Sequence, residues 1–217
     1  MKDEWKVLLK NRSYLVIWGL LMVLALFVLK MMKSFLLYNE MRKGALLNDW
    51  VLNFFVPVDL SEVICLLTWG SLLLFFPVTV RSPKRSIFVF IAIIFLSIFR
   101  MATMYIVPLE PPSGIIPLRD HILECSVYTN NILLKDLFFS GHTSNLFLLM
   151  IFMDIKWIKY LLMIITFTVG FLLLKQHVHY TIDVVAAPFF AYLAYFLANK
   201  VGAIILKRVG RGTQAIA

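Results

Sequence analysis

Residues 87–107 read IFVFIAIIFLSIFRMATMYIV, a run that carries a single charge, Arg100. At 1.5 Å of rise per residue, a helix of this length reaches roughly 30 Å, the thickness of a bilayer's hydrocarbon core. Five further apolar runs lie at 14–32, 60–80, 137–153, 157–174 and 181–198. Together they give an all-α, polytopic membrane protein: six transmembrane helices in one domain covering 1–217. Composition agrees, with 61% hydrophobic and 15% charged residues, where a soluble domain carries about 25% charged. The first run follows a basic N-terminus, but no small-x-small cleavage pattern comes after it, so it reads as a retained helix and not a signal peptide.

The net charge of +9 would suggest nucleic acid in a soluble protein, but in a membrane protein the position of the positive charges gives them their meaning. With the N-terminus inside, the inner segments are 1–13, 81–86, 154–159 and 199–217. They hold 13 of the 21 basic residues, opposed only by Asp3, Glu4 and Asp154. The outer side holds 8 basic and 9 acidic residues. Both termini are therefore expected in the cytoplasm, with a bilayer and no nucleic acid as partner. Cys65 and Cys125 do not make a disulfide framework.

Two outer segments are long. In 33–59, Leu46, Leu47, Trp50, Val51, Phe54 and Phe55 fall at roughly helical spacing and suggest a helix lying along the interface. Asp59 with Glu62 reads as a capping pair opening the second helix. The segment 108–136 begins with Pro108, Pro111, Pro112, Gly114 and Pro117, which stop the third helix and force an irregular loop.

Two short motifs carry chemistry. Phe139-Ser140-Gly141-His142-Thr143 opens the fourth helix, and His179-Tyr180-Thr181-Ile182-Asp183 opens the sixth. The charge-derived topology puts both at the outer face. Each has an ordinary reading: Ser140 as an N-cap, Asp183 as an acid favoured by the helix dipole, and His121, His177 or either other histidine as an interfacial residue. The combination argues for more. His179 and Asp183 are four apart, so a helix puts them on one face. The carboxylate then fixes one imidazole nitrogen and frees the other to attack. The Ser-Gly-His-Thr segment offers unpaired N–H groups to an anion. Two histidines and an anion cradle suit phosphoryl transfer through a covalent intermediate. A three-ligand zinc site of His142, His179 and Asp183 is the rival chemistry, ranked lower because a cradle for anions gives no reason for a cation. Arg100 lies roughly 10 Å inside the outer boundary, a costly place that marks it as a phosphate-binding candidate. Snorkelling is its ordinary alternative. Lys135 and Lys175 lie near the same face.

In these segments the chain resembles the sphingomyelin synthase family, within the superfamily of type-2 phosphatidic acid phosphatases. The resemblance runs from about residue 55 to 195, through Pro57-Val58-Asp59, Arg100-Met101-Ala102-Thr103-Met104-Tyr105, Asp136 to Thr143, and His179 to Val184. It implies six helices with the active site on the exoplasmic, periplasmic or lumenal side. It also implies transfer of phosphocholine or phosphoethanolamine from a glycerophospholipid to a lipid alcohol, ceramide or diacylglycerol. By position, His179 is the nucleophile, Asp183 orients it, and His142 is general acid and then base. Ser140, Gly141, Thr143, Arg100 and Lys135 are the candidate phosphate-binding set. The family needs no metal, and no cofactor is expected. The chain departs from the family at Lys135, where a glycine is usual. It also lacks the Arg-Pro pair of the phosphatase branch and has Leu173 where that branch carries an arginine.

The alternatives are a lipid phosphate phosphatase or phospholipase C-type hydrolase, with water as acceptor, and a non-catalytic lipid-binding protein. A phosphodiester carries one negative charge, which Arg100 and a helix N-terminus suit. Its cationic end suits the acidic outer loop, where Glu110, Asp120 and Glu124 stand with the ring faces of Tyr105 and Tyr128.

Overall fold

The computed structural model describes residues 11–120 and 133–214. His121, Glu124, Cys125 and Tyr128, and the basic residues before Asn11, lie outside the described residues. Among the described residues six α-helices follow in order: α1 (Arg12–Glu40), α2 (Ser61–Arg81), α3 (Pro83–Ile106), α4 (Gly141–Phe152), α5 (Lys156–Lys175) and α6 (Thr181–Gln214). Outside them lie a 3₁₀ turn at Leu52–Phe54 and one β-bridge between Ala45 and Leu109.

Among the described residues four helices, α1, α3, α5 and α6, are long and apolar enough to cross a membrane, while α4 and the described part of α2 (Ser61–Pro77) are shorter. This is consistent with an integral membrane protein. The fourth run, read as 137–153, is helical only over the 12 residues of α4. Phe138 sits at φ 91 and Ser140 is extended, so the chain turns into the helix late. At roughly 18 Å, α4 falls short of the hydrocarbon thickness. It packs against α5, α6 and α2, and Gly141 at its start and Phe152 and Met153 at its end are buried, so its backbone needs no lipid-facing continuation.

Two boundaries on the first half also differ from the reading above. α1 runs on to Glu40 because residues 33–40 contain no glycine or proline to stop it and Leu36 and Asn39 are buried. Over 41–60 the expected interfacial helix is replaced by extended chain and one 3₁₀ turn. There Ala45 donates to the Pro108 carbonyl and accepts from the Glu110 N–H, both at 2.9 Å. Gly44 lies so close to the Leu109 backbone that any Cβ would collide with it. Pairing with the proline loop thus satisfies the backbone groups that a helix would have satisfied internally.

The bundle is held by small residues. Ala187, Ala191, Ala194 and Ala198 of α6 are fully buried, and their spacing makes one smooth stripe along the helix. α6 packs closely on α3 and α4, and such stripes let helix backbones approach in lipid. Large side chains such as Leu66, Leu73, Phe76 and Phe167 point outward and are exposed, as a lipid-facing surface requires. α1 leans on α3, whereas α2 leans on α3, α4 and α5, and α1 and α2 hardly meet. The ends of α1, α3 and α5 and the starts of α2, α4 and α6 gather at one end of the bundle, under 41–60, 107–120 and 176–180.

Candidate active site

The sixth helix opens on a fixed pair. His179 Nδ1 lies 3.1 Å from Asp183 Oδ2, and both side chains are almost wholly buried. The same oxygen accepts the Tyr180 N–H at 3.1 Å. Only one imidazole nitrogen faces the carboxylate, so Nε2 is left for other chemistry. Asp49, from the extended 41–60 segment, caps this helix: its carboxylate accepts the Thr181 N–H at 2.6 Å and the Thr181 hydroxyl at 3.1 Å. Tyr180 donates its hydroxyl to the Glu110 carbonyl at 2.9 Å and accepts the Leu47 N–H at 3.3 Å. Burial pushes the ionisation of this phenol up, so it remains a donor.

The fourth helix is tied to this pair through the backbone, with the Ser140 N–H donating to the Asp183 carbonyl at 3.0 Å. The Ser140 hydroxyl caps the helix by accepting the Thr143 N–H at 3.3 Å. The N–H groups of Gly141 and His142 stand in the first turn, where the helix offers them no acceptor. Arg100 of α3 presses on that turn. A Cβ at Gly141 would collide with its guanidinium, so glycine lets the cation reach the helix start. Arg100 also pairs with Asp136 and lies over the Phe139 ring at 6.0 Å.

His142 has a carboxylate of its own. Its Nε2 is 3.4 Å from Asp120 Oδ2. Asp120 is buried and takes the Trp69 indole N–H on both oxygens, at 3.1 and 3.2 Å. Among the described residues no hydrogen bond joins the two imidazoles. Neither are three or more His, Cys, Asp or Glu side chains gathered closely enough to hold a metal ion, so the three-ligand zinc arrangement of His142, His179 and Asp183 is not formed. Four buried side-chain polar atoms among the described residues have no partner: Arg100 Nε, Thr143 Oγ1, Asp183 Oδ1 and Thr68 Oγ1. Three of them belong to this cluster.

Residues 135–200 match the family model described as PAP2 superfamily C-terminal. The match supports the type-2 phosphatidic acid phosphatase superfamily, and with it phosphatase- or phosphotransferase-type chemistry on lipids. It spans less than a third of the 217 residues and covers both histidine motifs. No curated protein matches the chain.

Within the PAP2-like segment, Lys135 has other company than the anion cradle: its ammonium bonds Glu110 at 2.9 Å and the Arg42 carbonyl at 2.7 Å. The Gly44 N–H and then Lys135 hold the Glu110 carboxyl below its ordinary range. His177, read as ordinary, faces carbonyls of Ser113 and Phe55 at 3.0 and 3.2 Å and staples two loops together. Asp49, Trp69, Asp120 and Asp136 join the cluster without having been assigned these roles from sequence. Asp136 lies four residues before Ser140 in the same motif, a signal that was available. Asp49 and Asp120 carry none, because their partners lie 132 and 22 positions away.

A cavity of 340 Å³ opens beneath the cluster. Arg100, Asp120, Asp136 and His142 line one end, and α1, α2, α3 and α4 line the rest with residues such as Leu36, Leu72, Ile93 and Leu149.

Proposed function

We propose that the protein is a single-domain lipid headgroup transferase that takes a zwitterionic phosphodiester, phosphatidylcholine or phosphatidylethanolamine, and forms a phosphohistidine. Six helices span the bilayer, both termini are cytoplasmic, and the site opens on the exoplasmic, periplasmic or lumenal side. The observation that carries this reading is the buried His179–Asp183 pair, joined by one backbone hydrogen bond to the helix turn that bears His142 and meets Arg100.

His179 Nε2 attacks phosphorus while Asp183 holds the opposite nitrogen. The bond from phosphorus to the diacylglycerol oxygen breaks, and His142 gives that oxygen its proton. The headgroup is then on His179. An acceptor hydroxyl, from ceramide, diacylglycerol or water, loses its proton to His142 as its oxygen attacks phosphorus, and His179 leaves. Arg100 and the first-turn N–H groups of α4 stabilise the charge that spreads over the phosphoryl oxygens. Ser140 and Thr143 hold that turn in shape, and Lys135 holds the loops around it.

The charge balance favours a diester over a monoester. Arg100 is already paired with Asp136, Lys135 with Glu110, and Asp120 and Asp183 are carboxylates within the cluster. A phosphomonoester dianion would find few uncommitted cations there, whereas a monoanion with a cationic tail fits. The test is kcat/KM for phosphatidylcholine, phosphatidylethanolamine and phosphatidate in one detergent, with and without ceramide. Higher values for the two diesters support the reading. A clear preference for phosphatidate makes the protein a lipid phosphatase.

A further inference from the structure

Asn145 stands three residues beyond His142 on α4 and shares its face, about 4.5 Å further along the axis. It lines the cavity on its way from the histidine to the apolar end. Its side chain is exposed and makes no hydrogen bond among the described residues. In an apolar cavity at bilayer depth, a primary amide with nothing to bond is unfavourable, and such residues mark the path of a ligand. A second observation points the same way. Thr68, on the α2 side of the same cavity, carries the one unpartnered buried side-chain polar atom outside the histidine cluster among the described residues. Helical threonines usually return that hydroxyl to the preceding turn, as Thr103 and Thr166 do here at 2.8 and 2.7 Å. Thr68 does not.

Resting on the reading of the cavity as the lipid site, we propose that Asn145 is a specificity-determining residue. It binds the carbonyl linkage between the phosphate-bearing backbone of the lipid and its acyl chains, with Thr68 on the facing wall. Measured from a phosphate at Arg100 and His142, that linkage is the next polar group along the lipid, and the remaining chain is hydrocarbon. The polar and apolar lining of the cavity follows the same order. An amide matches a carbonyl because its NH₂ donates. The chemistry is shared by the ester of a glycerophospholipid and the amide of a ceramide phospholipid.

The test needs no turnover. Full-length protein purified in detergent is offered equal mixtures of diacyl phosphatidylcholine and its dialkyl ether analogue, which lacks both carbonyls, and bound lipid is counted by native mass spectrometry. A parallel mixture sets sphingomyelin against the same ether. Wild type should favour a carbonyl-bearing lipid by about three- to tenfold, the worth of one neutral hydrogen bond, and the arm that shows it names the ester or the amide. Asn145→Leu, close in volume, should bring that ratio near one while ether binding persists, and Thr68→Val should lower it less. Leu149→Ala, on the same wall, should weaken all lipids alike and leave the ratio intact. A wild-type ratio of one in both arms, or a ratio unmoved by Asn145→Leu, overturns the proposal. If no phospholipid is turned over, the headgroup-transfer reading falls, and the binding ratio still decides the role of Asn145.

Discussion

The two histidine–carboxylate pairs of this site are built in opposite ways. His179 and Asp183 belong to one helix opening, 3.1 Å apart and sealed from solvent, with Tyr180 N–H on the same oxygen. His142 and Asp120 come from a helix and a loop, 3.4 Å apart, and Asp120 divides its oxygens between the imidazole and Trp69. The His142 side chain is also the more exposed, 15% against 5%. A local pair is set by helix geometry and fixes one tautomer, which suits a nucleophile. A pair assembled across the fold is looser, which suits a group that must give and then take a proton.

The largest effects should separate the two pairs. His179→Ala should remove turnover by several orders of magnitude, as loss of a nucleophile does. Asp183→Asn should lower it roughly 10⁴-fold, the scale seen when a histidine loses the carboxylate that sets its tautomer. His142→Ala should lower turnover of phosphatidylcholine by about 10²–10⁴-fold, and Asp120→Asn by less. The comparison sharpens with p-nitrophenyl phosphorylcholine, whose leaving group needs no proton. Its p-nitrophenol burst should survive His142→Ala and Asp120→Asn and vanish with His179→Ala. A burst lost equally in all three would erase the division of labour.

Next in size is the contact that brings Arg100 to the helix start. Gly141→Ala puts a methyl group into the guanidinium, so the cation must shift while the bundle stays folded. Displacements near 1 Å can lower catalysis on the order of 10²-fold, and kcat/KM for phosphatidylcholine should fall accordingly with little change in melting temperature. Normal activity would mean that Arg100 does not act on the phosphoryl group. Asp49→Asn tests the loop that caps α6. Capping losses are typically about 1 kcal/mol, so a small drop in thermal stability with kcat mostly retained is expected.

The smallest effect concerns the clasp of Glu110 on Gly44 and Lys135. Its carboxyl is held below its ordinary 4.5. The clasp therefore contributes fully above that value and is lost as pH falls through the lower folded value. Glu110→Gln should lower the melting temperature slightly at pH 7, and the difference from wild type should shrink toward pH 4. A constant difference would assign the effect to packing.

How far the sequence could be read follows the same local-against-distant divide. Apolar runs found each of the six described helices, and the four-residue spacing of His179 and Asp183 identified their pair, because both signals sit within one helix. The Ser140 cap was equally local. Asp120 beside His142 depends on how the proline loop folds back, and Asp49 on how an extended segment reaches α6. Neither has a periodic signature. The expected helix at 46–55 failed for the same reason, since pairing of Ala45 with residues 108–110 of the loop is a partner supplied from elsewhere. Lys135 looked like a free cation in sequence only because Glu110 stands 25 positions away.

The central claim is that the headgroup passes through His179. The most direct measurement is mass spectrometry of protein quenched in alkali during turnover of p-nitrophenyl phosphorylcholine, with His142→Ala used to let the intermediate accumulate. The account expects phosphocholine on the peptide containing His179, absent from His179→Ala. An adduct on another residue, or undiminished turnover by His179→Ala, would contradict it.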